Sequence, residues 1–382
     1  MFVPIANEPR DYGWGSRTLL AEYLGSTPSG RPEAELWLGA HPGCPARVTA
    51  GPHAGLDLGA ALEAEGRRQP AMLLKVLAAG EPLSLQAHPD AARAEAGFAR
   101  EDALGIPRDA PQRSYRDPFP KPELVVAVTP FEALSGFRPH DAAVRVFDAL
   151  AAADPALGPL AQQVRATTAF AWLLSGAPEV ADCVRRVVES ARTIAAELPV
   201  EADTVARLSS VHPGDPGILV ALLLNRVSLT PGEALFLPAG NLHAYLEGLG
   251  IELMGPSDNV LRGGLTPKHV DVQELLAVVD PTPLDDPRLP VEALDGALAY
   301  RPPAPFELRA ISGRHEVESA RGLLLAVAPA AVDVDGARHE LASAEAAWID
   351  SDAPITIHSD EAWLALESDT PGQPPGLGGR HS

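Results

Sequence analysis

Short apolar runs separated by proline and glycine make up most of this chain, and one block of helical periodicity interrupts them. The 382 residues include 39 prolines and 33 glycines. Dense turn residues around short apolar runs favour short strands over long helices. From about 139 to 211 the sequence is instead rich in alanine, and apolar residues recur three and four positions apart, as in amphipathic helices. The chain is therefore predicted to be mainly β with an α insert.

A chain of this length exceeds one ordinary hydrophobic core, so several domains are expected. Strand, tight turn and strand follow one another after residue 225, which is typical of an antiparallel barrel. Alternating apolar residues after a proline-rich linker indicate a second small β-sandwich or barrel. The predicted division is 1–138 and 212–280 for the two parts of a first β domain, 139–211 for a helical insertion domain, 281–368 for a second β domain and 369–382 for a disordered tail.

The charge balance limits the partners of this protein. Thirty basic residues against 51 acidic ones give a formal net charge of −21, which disfavours binding to nucleic acid. The same charge repels small anions at long range. A phosphorylated ligand would therefore need a local cluster of cations.

Compartment and membrane association follow from cysteine content and apolar run length. Only Cys44 and Cys183 are present, so a disulfide framework is not expected and a reducing cytoplasm fits best. The first residues lack the basic and apolar regions of a signal peptide. The best apolar run, 217–224, is far too short to span a bilayer. A soluble cytoplasmic protein without a membrane partner is expected.

Gln86 and His88 are the first candidates for a metal site. A spacing of two in a strand directs both side chains to the same face, while Leu83 and Leu85 are expected to point into a core on the opposite face. A histidine in a strand is more often an ordinary core or surface residue than a ligand. Further ligands are needed before a metal site is favoured.

Two other stretches supply such ligands. Glu123 stands at the start of an apolar strand, and His243 follows directly after a turn. Together with Gln86 and His88 they form a mixed nitrogen and oxygen set that suits zinc, with iron, cobalt or manganese as weaker candidates. Taken singly, Glu123 could be an edge charge, Gln86 a core amide and His243 a turn residue. Their coincidence favours the metal site.

Four cations adjoin the same segments and could form the required basic cluster. Lys75, Lys121, Arg262 and Lys268 lie on or beside the stretches that carry the candidate ligands. Such a set is suited to binding phosphate. For any single lysine, an ordinary surface salt bridge is the competing interpretation.

Several motifs of this chain resemble those of type I mannose-6-phosphate isomerases, and they occur in the same order from the Trp14 loop to about Ala277. They are LSLQAHP (83–89), KPE (121–123), PFEALSGFR (130–138), PGEA (231–234), HAYL (243–246) and SDNVLRGGLTPK (257–268). Residues 281–368 look like the second cupin domain of that family, with weaker motifs. Two departures are Ala87, where Val or Ser is frequent, and Pro120, where His is common.

The resemblance implies two cupin-like (jelly-roll) β domains with a helical insertion, one Zn²⁺ per chain, and interconversion of mannose 6-phosphate and fructose 6-phosphate. A monomer is expected. The resemblance implies that the zinc ligands are Gln86, His88, Glu123 and His243. It also implies that Arg262 is the active-site arginine. The positions that line the same pocket are Lys75, Ser84, Lys121, Asp258 and Lys268.

The proton-transferring base stays open at this point. Glu252, Asp258, His243 and a metal-bound water are all candidates. Two functions from other classes also stay open: a cupin that binds a sugar or sugar phosphate as a sensor without catalysis, and a metal-dependent cupin oxygenase, which would not need the lysines.

Overall fold

The computed structural model describes residues 1–368, so the predicted disordered tail lies outside the described residues. The strands are β1 Phe2–Ala6, β2 Glu35–Leu38, β3 Arg47–Val48, β4 Leu73–Ala79, β5 Leu85–Ala87, β6 Glu123–Ala127, β7 Phe131–Phe137, β8 Leu224–Leu229, β9 Ala234–Leu237, β10 His243–Met254, β11 Leu261–Gly264, β12 Arg288–Leu289, β13 Val291–Leu294, β14 Ala297–Tyr300, β15 Phe306–Val317, β16 Ala320–Ala326, β17 Ala330–Val334, β18 Ala337–Leu341, β19 Ala346–Ser351 and β20 Ile355–Glu367. The helices are α1 Leu19–Tyr23, α2 Leu58–Ala64, α3 Ala91–Ala103, α4 His140–Ala153, α5 Gly158–Arg165, α6 Ala169–Leu173, α7 Pro178–Ile194, α8 Pro199–Val211, α9 Gly217–Ala221 and α10 Val272–Val278, with a 3-10 helix at Pro155–Leu157.

The strands form two large sheets, and every strand pair in residues 1–368 is antiparallel. The first sheet has the order β11-β5-β10-β6-β9-β12, with β4 and β7 also paired to β10, and β2 and β8 beyond them. The second has the order β13-β14-β15-β20-β16-β19-β1-β3, with β17 on β20 and β18 on β17. The prediction of a mainly β fold with an α insert is confirmed. Across residues 1–368, none of the helices combines the length and apolar character that a bilayer crossing needs.

Strand β10 organises the first sheet. Its first half pairs with β5 and β7, and its second half pairs with β4 and β6. The change of partners occurs at Gly248, which has φ +120°, and a Cβ there would lie 2.6 Å from the carbonyl oxygen of Pro130. Only glycine adopts this conformation at such close approach without strain. The bend lets the sheet curl around one interior.

Strand alternation explains why a carboxylate faces that interior. On β6, Leu124 and Val126 pack in the core shared by the two sheets, while Val125 and Ala127 pack in the barrel interior. Since side chains alternate along a strand, Glu123 lies on the interior face.

The same alternation applies to β4 and β10. Leu77 packs in the barrel interior, which places Lys75 on the interior face of β4. Tyr245 belongs to the same interior cluster, and His243 is two residues away on β10. One end of the barrel interior is therefore lined by ionisable side chains, and the rest is apolar.

Helices α4 to α9 cover the opposite face of β5, β7, β10 and β11. Leu85 and Ala87 pack in this helix-facing core, as predicted for Leu85. The expectation for Leu83 is wrong: it packs with the barrel-interior cluster and lines the cavity beside Gln86. The reason is that β5 begins only at Leu85, so the alternation does not extend back to Leu83.

Each sheet takes strands from distant parts of the sequence. Strand β1 pairs with β19 in the second sheet, and β12 pairs with β9 in the first. The boundary at residues 280 and 281 and the other domain limits stay predictions.

A stability test follows from the packing of α3. A Cβ at Gly97 would lie 2.6 Å from the ring of Tyr115, which is fully buried. Alanine normally stabilises a helix interior relative to glycine. Here we expect Gly97→Ala to destabilise the chain by about 1–3 kcal/mol through overpacking. Thermal and urea unfolding will measure this loss.

The matched control is Glu95→Ala, an exposed position on the same helix. It is expected to leave the unfolding midpoint nearly unchanged. Equal stability of Gly97→Ala and the parent protein would contradict the packing argument.

Candidate active site

Three predicted ligands converge at the polar end of the barrel interior. His88, Glu123 and His243 are buried, and one potential ligand atom from each lies within 4.8 Å of the other two. The Nε2 atoms of both histidines are 3.3 Å from Oε2 of Glu123. Three distant segments therefore meet at one point, as the sequence predicted for a metal site.

Main-chain carbonyls orient both imidazole rings. Nδ1 of His88 lies 2.7 Å from the carbonyl oxygen of Asn259, and Nδ1 of His243 lies 3.0 Å from that of Asn241. Because a carbonyl oxygen only accepts hydrogen bonds, Nδ1 donates in both rings. The Nε2 atoms are thus directed at the carboxylate. This arrangement is typical of histidines that ligate a metal through Nε2.

The protonation state of His88 fits a metal ligand. Burial lowers the pKa of His88 to about 4, although the Glu123 carboxylate acts in the opposite direction. The ring is therefore neutral near pH 7, and its buried Nε2 makes no hydrogen bond within residues 1–368. An unprotonated nitrogen facing a carboxylate oxygen is an unfavourable pair unless a cation lies between them. The residues present fit a bound cation.

Lys121 compensates part of the negative charge at this point. Its Nζ lies 3.1 Å from Oε1 of Glu123, and both side chains are buried. Burial by itself raises the pKa of Glu123, but the neighbouring charge of Lys121 opposes it, and the pKa lies well below its ordinary value. Glu123 is therefore ionised and available as a ligand.

Gln86 lies beside this group through strand pairing. In the register of β5, Gln86 is opposite His243 on β10 and opposite Arg262 on β11. Its amide donates to Oγ of Ser84 at 3.3 Å, and it lines a cavity of about 60 Å³ with Glu123 and His243. The structure brings Gln86 next to the other three predicted ligands.

A buried charge network extends from the metal-competent group along the interior. Nζ of Lys75 lies 2.9 Å from Oε2 of Glu252 and 3.6 Å from Oε1 of Glu35. Tyr245 donates its hydroxyl to Oε1 of Glu252 at 3.0 Å, and Trp37 Nε1 donates to Oε2 of Glu35 at 2.8 Å. Burial alone lowers the pKa of Lys75, but the two carboxylates raise it above its ordinary value. Lys75 is therefore charged and paired.

A larger cavity of about 450 Å³ opens next to this network. Its lining includes Arg113, which contacts the carboxylates of Glu101 and Asp102, and a group of three further cations, Arg116, Arg262 and Lys268. Within residues 1–368 none of the three has a carboxylate oxygen within 4 Å of its charged group. Burial and the neighbouring Arg116 lower the pKa of Arg262, and burial followed by Arg262 and Arg116 lowers that of Lys268. The cluster is electrostatically suited to an anion.

Two other predicted pocket residues, Ser84 and Asp258, also line this cavity. The side chain of Asp258 is 43% exposed, and its backbone N–H donates to Oδ2 of Asp117 at 2.8 Å. Lys75 and Lys121 are placed differently: both line the smaller cavity, and their ammonium groups contact carboxylates.

The sequence did not single out Arg116. Its only signal is its place five residues before Lys121 in a stretch without clear periodicity.

The sequence also did not single out the structural role of Asn259. Its side chain accepts from the backbone N–H groups of Arg116 and Asp117, at 2.7 and 3.2 Å, and donates to the carbonyl of Phe119 at 2.9 Å. It thereby holds the Arg116 loop against the segment that carries Asp258.

Comparison with known proteins places this geometry in a family. Residues 2–140 match the model of the phosphomannose isomerase type I catalytic domain. A mannose-6-phosphate isomerase of Escherichia coli (strain K12) is 43% identical over 291 residues, covering 72% of this chain and 74% of the relative. One of Rattus norvegicus is 30% identical over 321 residues, covering 73% of both chains.

Solved structures agree over nearly the whole chain. A point variant of the phosphomannose isomerase from Salmonella typhimurium superposes with a TM-score of 0.86 at 33% identity, over 96% of this chain and 99% of that one. A zinc-bound mannose 6-phosphate isomerase gives a TM-score of 0.85 at 33% identity with the same coverage. The chain belongs to the type I phosphomannose isomerase family.

Proposed function

We propose that this protein is a zinc-dependent isomerase that interconverts mannose 6-phosphate and fructose 6-phosphate. The observation that carries the proposal is the convergence of His88, Glu123 and His243 beside a cavity where three lining cations have no carboxylate partner within residues 1–368. The related mannose-6-phosphate isomerases and the zinc-bound solved structure support it. The monomeric state and the cytoplasmic location stay predictions.

Four side chains would hold the zinc ion: Gln86, His88, Glu123 and His243. Two imidazoles, a carboxylate and an amide form a nitrogen and oxygen set that zinc accepts. When bound, zinc supplies a Lewis acid that polarises substrate oxygens.

The reaction moves a proton between the first and second carbons of the sugar, and we propose Asp258 as the proton acceptor. Glu252 was another candidate, but both its oxygens are engaged, by Lys75 at 2.9 Å and Tyr245 at 3.0 Å. His243 is directed at Glu123. Asp258 is partly exposed to the large cavity and has no Lys or Arg partner within residues 1–368. A carboxylate within reach of substrate is a suitable general base.

Arg262 is proposed to stabilise negative charge on the reacting oxygens. It stands opposite Gln86 in the strand register, which places it next to the proposed metal ligands. A guanidinium in a partly buried site stabilises developing negative charge more strongly than one in bulk water.

Arg116 and Lys268 are proposed to bind the phosphate, with Ser84 as a hydroxyl donor. Both cations are exposed at the cavity and lack carboxylate partners in the described part of the chain. The phosphate roles predicted for Lys75 and Lys121 stay predictions, and their contacts with Glu252 and Glu123 favour a role in holding the buried carboxylates.

The metal requirement gives one test. We expect a chelator to abolish isomerisation of mannose 6-phosphate, added Zn²⁺ to restore it, and His88→Ala to lose most of the bound zinc. Metal analysis and a coupled isomerase assay measure both effects. The control is His53→Ala, because His53 pairs with Glu65 outside the site. Full activity of a zinc-free sample would rule out the metal's role, and a zinc-loaded protein without turnover would favour the non-catalytic sensor.

The role of Arg262 gives a second test. Arg262→Ala is expected to lower kcat by about 100-fold or more, as for loss of other groups that stabilise a developing oxyanion, while zinc stays at one per chain. The matched control is Arg192→Ala, an exposed arginine on α7, which should retain normal turnover. Near-normal kcat in Arg262→Ala would remove this residue from the mechanism.

The phosphate site gives a third test. Loss of one charge-assisted contact is expected to raise KM for mannose 6-phosphate about 10-fold in Arg116→Ala and in Lys268→Ala. Both substitutions should also weaken inhibition by inorganic phosphate. Arg116→Lys, which keeps the charge, should lie between Arg116→Ala and the parent. Unchanged KM and unchanged phosphate inhibition in both alanine variants would place the phosphate elsewhere.

A further inference from the structure

One buried histidine near the cavity has no role in the proposed chemistry. His41 lies in the loop after β2, is 4% exposed, and its Nε2 is 3.5 Å from Oδ1 of Asp258. Its position against the cavity carboxylate calls for an explanation.

The tautomer of His41 is determined by its other nitrogen. The backbone N–H of Gly43 donates to Nδ1 of His41 at 3.1 Å, so Nδ1 is an acceptor. In a neutral ring the proton then resides on Nε2, the atom that faces Asp258. Burial lowers the pKa of His41, with Asp258 and Asp117 opposing and Lys75 and Lys121 acting in the same direction as burial. The ring is thus neutral and offers an N–H to the carboxylate.

The surrounding loop holds the ring in place. Trp37 packs edge-on against His41, with ring centroids 5.0 Å apart. The backbone N–H of Cys44 donates to the carbonyl of His41 at 3.0 Å, and Asn7 donates to the carbonyl of Cys44 at 3.1 Å. A Cβ at Gly43 would lie 3.2 Å from Nδ1 of the ring. His41 therefore has little freedom to turn away from Asp258.

The carboxylate of Asp258 has His41 as its neighbour on one side. The backbone of Asp258 is held by Asp117, and in residues 1–368 the only basic side chain with a nitrogen within 4 Å of its carboxylate oxygens is that of His41. The N–H of His41 faces Oδ1 at 3.5 Å, which is longer than an ordinary hydrogen bond. A small closure of this contact would hold Oδ1 and leave the second oxygen for a ligand.

We infer that His41 is a positioning residue that holds Oδ1 of Asp258, so that the remaining oxygen faces the substrate. This rests on the proposed function of Asp258 as proton acceptor. His41 itself touches no reacting atom. Its effect is on the orientation of the carboxylate, which is decisive for proton transfer because small misplacements of a catalytic group are costly.

The test uses variants of the zinc-loaded full chain. His41→Phe keeps a ring against Trp37 but removes the N–H, whereas His41→Gln retains a donor near the Nε2 position. His41→Asn can still accept from Gly43 but is too short to reach Asp258. We expect kcat for mannose 6-phosphate to fall about 10- to 100-fold in His41→Phe and His41→Asn, the range for a lost hydrogen bond to a charged group. KM, zinc content and melting temperature should change little, and His41→Gln should recover most of kcat.

The coupling to Asp258 is measured with a double-mutant cycle. In an Asp258→Asn background, His41→Phe is expected to reduce residual turnover less than about 2-fold, because the carboxylate it orients is already absent. Additive losses would overturn the inference, as would normal kcat in His41→Phe and His41→Asn. Failure of all three His41 variants to fold would make the ring structural and would overturn it too. If Asp258→Asn alone retains normal turnover, the proposed base is wrong, which is a separate outcome from failure of the His41 inference.

Discussion

The structure depends on one unfavourable arrangement, an ionised carboxylate buried inside a β-barrel. Glu123 is on the interior face of β6, and two imidazole nitrogens and an ammonium group surround it. A buried charge is tolerated only when its partners compensate the lost hydration. Lys121 supplies part of that compensation, and the donor set of two histidines and an amide is suited to a cation that would supply the rest. Stability and metal binding are therefore linked at the same atoms.

Further buried carboxylates in the barrel interior, away from the proposed metal ligands, are also compensated by neighbouring groups. Glu35, Lys75 and Glu252 form a second charged group, which Trp37 and Tyr245 complete with hydrogen bonds. Each carboxylate in this network has a donor, so protein groups compensate its lost hydration. Three cations without a carboxylate partner in residues 1–368, Arg116, Arg262 and Lys268, lie together at the larger cavity, where an anionic sugar phosphate would meet them.

Two loops complete the site and are joined to each other. Asn259 links the Arg116 loop to the segment that carries Asp258, and its own carbonyl orients His88. His41 reaches Asp258 from a third loop. The metal-competent group, the anion-binding cations and the cavity carboxylate are therefore mechanically connected, although they come from distant parts of the sequence.

Much of this arrangement was predictable from the sequence by itself. The density of turn residues determined the mainly β fold, and the alanine-rich block determined the helical insert. Strand periodicity and motif order predicted Gln86, His88, Glu123 and His243 as metal ligands, and the structure brings these side chains together. These signals are local, because the direction of a side chain on a strand depends only on its neighbours in sequence.

Only the tertiary structure decided which side chains contact one another in the site. The sequence could not show that Lys75 and Lys121 form ion pairs with carboxylates, that Arg116 lines the cavity, or that His41 faces Asp258. Even the direction of the Leu83 side chain was predicted wrongly, because the start of β5 depends on pairing with β10 and β11. The physical reason is that hydrogen-bond and ion-pair partners are set by which strands and loops become neighbours, and that is determined by packing between segments far apart in the chain.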